Sequence, residues 1–414
     1  MATRRPPSSA TPTVNPFAGG GIAVVGDDFT DRAPERKAIA AALRTPGGHL
    51  LLVGPRRIGK TSLLRAVQHD VRARKGPPVL YLDLWSASTI EDMTTRLALE
   101  AAAVLGRTGT DLVKKLAQRL QFRLEVSTLP DGRLVPVPTL AFREAPLDEQ
   151  RARLVTALDT LEAQAKAHRV HLGVILDEFQ EIERLGREAA DHASVSAMRQ
   201  VRAAVQHHRH VSYVFAGSDR ALIERLSDPK HGPMHNLARR YEIGPLPEAH
   251  FAAWIEHRFA AMGVNASGCG LPIIALAGPR TRDVRTLAES AADRARGARR
   301  LTPAALDAPL RDVVAQRGPQ YDAQWKDLTP LQQNCLRAVA AGERRLTSDA
   351  VLTRYALGDT SRTAKTLATL TDRAILVRDG ARHTFDDPFF RAWVVVSVLP
   401  DVGLQLPITH LPPA

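Results

Sequence analysis

The stretch GPRRIGKTSLL, residues 54–64, has the residue types and spacing to hold a polyphosphate. Gly54 is followed, after four residues, by Gly59, Lys60 and Thr61, and such a loop needs glycines so that successive backbone N–H groups can wrap a phosphate. Lys60 would bring positive charge to the outer phosphates of ATP and Thr61 a hydroxyl to Mg²⁺. Pro55, Arg56, Arg57, Ile58 and Ser62 complete the cradle. Hydrolysis then needs a carboxylate for the metal and another for water. VILDEFQEIERL, residues 174–185, offers Asp177 for the Mg²⁺ shell and Glu178 to orient or deprotonate the attacking water. Adjacent strand residues face opposite ways, so the pair would straddle the strand's tip. The alternative for an acidic pair after a strand is a helix N-cap. YVFAGSDRALIERL carries a third element, in which Ser218 could bond the water or the terminal phosphate; Ser218 or Asp219 could equally cap the helix after it.

These residues demand a scaffold that the neighbouring sequence supplies. HLLLVG reads as a buried strand before the loop, and SLLRAVQHDVRAR as a helix whose positive N-terminus faces the phosphates. Further strand patterns, PVLYLDL at 78–84, HLGVILDEF at 171–179, HVSYVFAGS at 210–218 and RRYEIGPL at 239–246, alternate with longer helical patterns. The expectation is an α/β fold, a parallel sheet covered on both faces. The expected organisation is a flexible Pro- and Ser-rich arm over 1–20, a nucleotide-binding core over 21–247, a helical lid and linker over 248–325, a winged helix over 326–400 and a tail over 401–414. Residues 120–146 break the core's rhythm, and LPDGRL at their centre has hairpin or loop chemistry.

The C-terminal unit reads as three helices, LTPLQQNCLRAVAAG, TSDAVLTRYAL and DTSRTAKTLATLTDRAIL, and then a hairpin with RDG at its turn. That is the pattern of a winged helix-turn-helix. From residue 294 to 382 there are 16 Lys and Arg against 9 Asp and Glu, so over half of the chain's formal charge of +12 lies in under a quarter of its length. The charge favours contact with double-stranded DNA, through Arg362 and Lys365 on the third helix and Arg378 and Arg382 on the wing. Apolar Ala364, Leu367 and Leu370 are expected on the other face. Winged helices also dock proteins or pack on their own core. Cys269 and Cys335 are too few and too far apart for a disulfide framework or a zinc knuckle. No apolar run approaches the roughly 18 residues of a membrane span. The opening MATRRPPSSATPTV lacks the apolar centre of a signal peptide, and the expectation is a cytoplasmic protein.

Taken jointly, FTDRAPERKAIAAAL, GPRRIGKTSLL, ILDEFQEI, FAGSDRALIERL, MHNLARRYEIGPL and DPFFRAW resemble the archaeal-type ATPases, relatives of the AAA+ and STAND P-loop ATPases and similar in plan to origin-recognition ATPases. The resemblance spans about residues 15–396 and implies an α/β ATPase core, a helical lid and a winged helix. It implies that Phe29 and Arg32 lie beside the adenine. An arginine of the Arg239–Arg240 pair, here Arg240, would reach a γ-phosphate in a neighbouring subunit; structural pairing with an acid is the alternative. Arg282, which fits slightly better than Arg280 at the start of a lid helix, would contact the nucleotide; a solvated arginine on that helix is the alternative. The functional expectation is Mg²⁺-dependent ATP hydrolysis coupled to DNA binding. The alternative is a slow nucleotide-gated switch that assembles as a homo-oligomer or recruits a protein partner for signalling, defence or transposition.

Overall fold

The computed structural model describes residues 15–19, 30–105, 123–128, 134–139, 145–186, 197–380 and 382–399. The chain forms two compact units: residues 23–244, and residues 245–414 together with the first 22.

The first unit is a five-stranded parallel sheet in the order β2-β5-β6-β1-β7, from β1 (His49–Val53), β2 (Val79–Asp83), β5 (Leu172–Asp177), β6 (Val211–Gly217) and β7 (Arg239–Glu242). A hairpin of β3 (Arg123–Thr128) and β4 (Leu134–Thr139) falls within the segment expected to break the rhythm. Every residue of β5 and of β6 is buried, as parallel strands with two covered faces require. Alternation sends Val214 and Ala216 of β6 to one face, where they pack with α1 (Ala33–Arg44) and α2 (Lys60–Ala73). Tyr213 and Phe215 go to the other, with α3 (Ile90–Leu105), α4 (Leu147–Ala167) and, beyond the short α5 (Glu181–Leu185), α6 (Ala197–Val205). Because all five strands run one way, their C-terminal tips share an edge. That edge carries the loop after β1, Asp83, Asp177 and the turn into α7 (Arg220–Leu226).

In the second unit α8 (Glu248–Ala261), α9 (Gly270–Ala277), α10 (Thr281–Arg294) and α11 (Asp307–Lys326) share one hydrophobic core with the C-terminal elements. Among these, α12 (Pro330–Ala340), α13 (Asp349–Arg354) and α14 (Thr360–Asp372) lead into β8 (Leu376–Asp379) and β9 (Arg382–Phe385), the wing, and then α15 (Pro388–Val398). The start of α15 is written in DPFF: Asp387 accepts from the N–H groups of Phe389 and Phe390, and Pro388 needs no donor in the first turn. Two expectations change here. The end of the expected flexible arm is tied down, with Phe17 fully buried in this core and Asn15 bonded to the Glu289 carbonyl and the Asp293 carboxylate. On α14, Ala364 is exposed and Thr363 is buried in its stead, its hydroxyl donating to the Leu357 carbonyl at 3.0 Å.

Candidate nucleotide site and winged helix surface

The loop after β1 is shaped by its glycines. A Cβ on Gly54 would stand 2.3 Å from Ile243 Cγ2 and 2.8 Å from its carbonyl oxygen, so the loop can leave the sheet here only without a side chain. Gly59 caps α2 at φ 96°, a conformation that strains other residues. The first N–H groups of α2 point out of the helix end, which favours negative charge. Pro55 and Arg56 are exposed, Arg57, Gly59 and Ser62 are half-buried, and Ile58 is buried in the core.

Lys60 is buried, and its Nζ donates to the carbonyls of Gly54 and Pro55 at 2.8 Å each. Burial lowers the pKa of its ammonium, while Glu178 and Asp177 draw it back up. Asp177 closes β5 with 1% of its surface exposed. Thr61 Oγ1 and Tyr81 OH both donate to its Oδ2 at 2.7 Å. Burial raises the Asp177 pKa against these two hydrogen bonds, and the charges of Glu178 and Asp83 push the same way as burial.

Glu178 turns out of the strand at φ 53°, an uncommon conformation for a residue with a side chain. Its Oε2 accepts from Ser218 Oγ at 2.7 Å and from Gln180 Nε2 at 2.5 Å. Ser218 therefore meets the glutamate, and the capping role at α7 goes to Asp219, which accepts from the Leu222 N–H at 3.0 Å and also pairs with Arg184.

The structure thus brings Lys60, Thr61, Asp177, Glu178 and Ser218 together at one sheet edge. Arg32 is buried, donating to Glu35 and to the carbonyls of Gly244 and Ile58, so its guanidinium ties α1 to both loops. Phe29 lies outside the described residues. Arg239 and Arg240 open β7, and Arg240 pairs with exposed Glu242, two positions on along the same strand face. Arg282, in the second unit, is exposed in the first turn of α10; neighbouring Arg280 is bound to Asp386.

Sequence reasoning missed Tyr81, Gln180 and Trp85. Trp85 is 57% exposed beyond β2, with the Arg56 guanidinium 5.3 Å from its ring centre. A hydroxyl two residues before the strand-end Asp83 was the available signal for Tyr81.

On the winged helix, Arg362, Lys365, Arg378 and Arg382 are all exposed. Arg362 and Lys365 line a groove of about 670 Å³ with Asn334, Gly358, Thr366 and Thr369. The wing's register divides its two arginines. Arg378 stands opposite His383 and shares its face, whereas Arg382 stands opposite Asp379 on the other. Partial burial, with Arg378 beside it, lowers the pKa of His383.

Known proteins agree with this architecture. An AAA ATPase domain model matches residues 28–214, and a probable winged helix domain model matches residues 319–395. Among solved structures, a Walker-type ATPase of Pyrococcus abyssi is similar, with TM-score 0.58 and 16% identity over 89% of this chain and 96% of that one. The ORC2 protein of Aeropyrum pernix, in its ADPNP–ADP complexes, is similar with TM-score 0.53 and 14% identity over 94% and 98%. No curated protein matches the sequence. The chain has the fold of an AAA+-like P-loop NTPase domain followed by a winged helix, the plan it shares with these two structures. Among the described residues, no helix is long and apolar enough to cross a membrane.

Proposed function

We propose that this chain binds ATP with Mg²⁺ on residues 54–62, the loop after β1 and the start of α2, hydrolyses it, and uses the nucleotide to govern contact between its winged helix and double-stranded DNA. The observation that carries the reading is the convergence of Thr61 and Tyr81 on Asp177 Oδ2, beside Lys60 and Glu178, at the tip of a buried strand. A buried carboxylate whose ionisation is opposed by its surroundings, with a threonine hydroxyl 2.7 Å away, fits a small divalent cation. Thr61 and Asp177 would hold it, and when bound it neutralises charge on the phosphates. Among the described residues no cluster of three or more His, Cys, Asp or Glu forms a cage.

Lys60 and the N-terminus of α2 stabilise negative charge on the phosphates. With Glu178 Oε2 holding two donors, Oε1, to which nothing among the described residues donates, would orient the attacking water and accept its proton. Arg240 is restrained by a pair to an exposed Glu242, a weak restraint, and remains the candidate to reach the nucleotide of a neighbouring copy. Residues 248–325 would act as the lid, with Arg282 as its nucleotide contact.

The test is steady-state phosphate release with and without duplex DNA, in Mg²⁺ and in EDTA. Turnover that requires Mg²⁺ and rises several-fold with DNA is expected. Turnover indifferent to DNA, with nucleotide-dependent oligomers, would move the reading to a switch with a protein partner.

A further inference from the structure

We infer that Gln180 is a positioning residue that fixes which oxygen of Glu178 faces the attacking water; the inference rests on the proposed role of Glu178. Gln180 is fully buried, and its Nε2 donates to Glu178 Oε2 at 2.5 Å. Its other amide atom, Oε1, has no hydrogen-bond partner among the described residues. It lies 2.5 Å from where a Cβ on Gly217 would stand, so the amide is packed against the end of β6. The carboxylate sets the amide's orientation, since the reverse would put oxygen against oxygen.

A buried, unpaired carbonyl oxygen is costly, and an apolar side chain of similar size would avoid that cost. Gln180 is therefore a poor choice for packing and a good one for holding Glu178. Local rules broken in this way are expected at functional sites. With Ser218 on the same oxygen, two donors hold Oε2 and restrain rotation of the carboxylate, which leaves Oε1 for the water. Glu178 needs such a clamp, because it has left the strand at φ 53° and partly faces solvent.

The experiment measures kcat, KM, ATP affinity and melting temperature for Gln180→Met, Glu178→Gln and the double variant. Gln180→Met should lower kcat about tenfold, the scale of one hydrogen bond to a charged group. KM and ATP affinity should be unchanged, and melting should be no lower than in the wild type. In the Glu178→Gln background the same change should have no further effect on kcat, because Gln180 acts through Glu178. A kcat within twofold of wild type, a rise in kcat, or loss of ATP affinity and melting temperature in step with kcat would overturn the inference. Full additivity in the double variant would do the same. If Glu178→Gln itself retains wild-type turnover, the role of Glu178 has failed, and that outcome is read separately from the Gln180 single variant. Should methionine overpack the site, Gln180→Leu carries the same expectations.

Discussion

The acidic tip of β5 and the basic face of α14 are both candidate ligand sites, and they are built on opposite terms. At the tip, Lys60, Asp177 and Gln180 are buried and each is held by other polar groups of the chain. On α14, Arg362 and Lys365 are exposed, and among the described residues no acidic side chain is paired with either. The difference fits what the proposed functions would ask of each. Bond-breaking gains from dipoles fixed in advance in a site of low polarity, where each charge acts strongly. Contact with a phosphate backbone gains from charges that are free to reach it and give up counterions. Substitutions at the tip should therefore change chemistry, and substitutions on α14 should change salt-dependent affinity.

The largest expected effect is at Lys60. Lys60→Ala removes the buried ammonium set between the loop carbonyls and the two carboxylates, and ATP affinity should fall below detection by isothermal titration. Its melting curve should stay near wild type, because the carbonyls of Gly54 and Pro55 lie in a loop that water can reach. Unchanged affinity in a folded Lys60→Ala protein would remove the nucleotide assignment. Next comes Glu178→Gln, which keeps the shape and loses the base. Hydrolysis should slow by about 100-fold or more while ATP and Mg²⁺ remain bound. A rate within twofold of wild type would place water activation elsewhere.

The contrast between the sites also explains what the sequence could reveal. Lys60, Thr61, Asp177 and Glu178 were legible because the loop and the strand end are local patterns whose spacing forces their geometry. Tyr81 and Gln180 were not, because their roles depend on long-range registration. Only the pairing of Tyr81 with Ile175 and of Asp83 with Asp177 brings the Tyr81 hydroxyl to Asp177. Gln180 matters because the Ser218 end of β6 stands next to β5 and the amide meets Gly217. On α14 the error was of one residue. Hydropathy placed Ala364 inside, but a threonine whose hydroxyl finds the Leu357 carbonyl can be buried at little cost. The wing was legible as a hairpin. Its separation of Arg378 from Arg382 needed the register.

Burial alone does not make a functional site, and the opposite end of the sheet separates the two. His49 opens β1, and its Nδ1 accepts from the Tyr213 N–H at 3.2 Å, which requires a neutral ring. Burial, with His208 and Arg209 nearby, lowers its pKa to about 4, although backbone contacts at Val205 and Gly48 oppose the shift. Since the folded value lies below the unfolded one, the unfolded chain takes up the proton first. Stability is complete above about pH 6.5 and falls as pH drops toward 4, by at most about 3 kcal/mol. Urea melts at pH 7, 6, 5 and 4 should show this slope. His49→Asn, which keeps an acceptor near Tyr213, should flatten it without changing ATP affinity at pH 7. An unchanged slope in that variant would assign the loss to other groups, His171 first, whose pKa burial also lowers.

The smallest effect in free energy, and the sharpest test of the contrast, lies on α14. Arg362 and Lys365 are three residues apart, one turn of one face, and both border the groove that also reaches Asn334 and Thr369. The fold does not depend on them, because α14 is anchored by Thr363, Leu367 and Leu370 and is started by Asp359, which accepts from the Arg362 backbone N–H at 2.8 Å whatever the side chain. If each meets one DNA phosphate, changing both to Ala should flatten the dependence of log affinity on log salt by about two. The loss should be clear at low salt and small at high salt, with ATP affinity and melting unchanged. Because the wing's arginines face opposite ways, Arg378→Ala and Arg382→Ala should not act alike: the one that faces DNA should flatten the slope by about one and the other should leave it unchanged. Fluorescence anisotropy with duplex DNA over a salt series decides both points. An unaltered slope in the double variant would show that this exposed charge serves solubility or a protein partner, and equal effects from the two wing variants would show that the wing enters DNA edge-on, with both faces in contact.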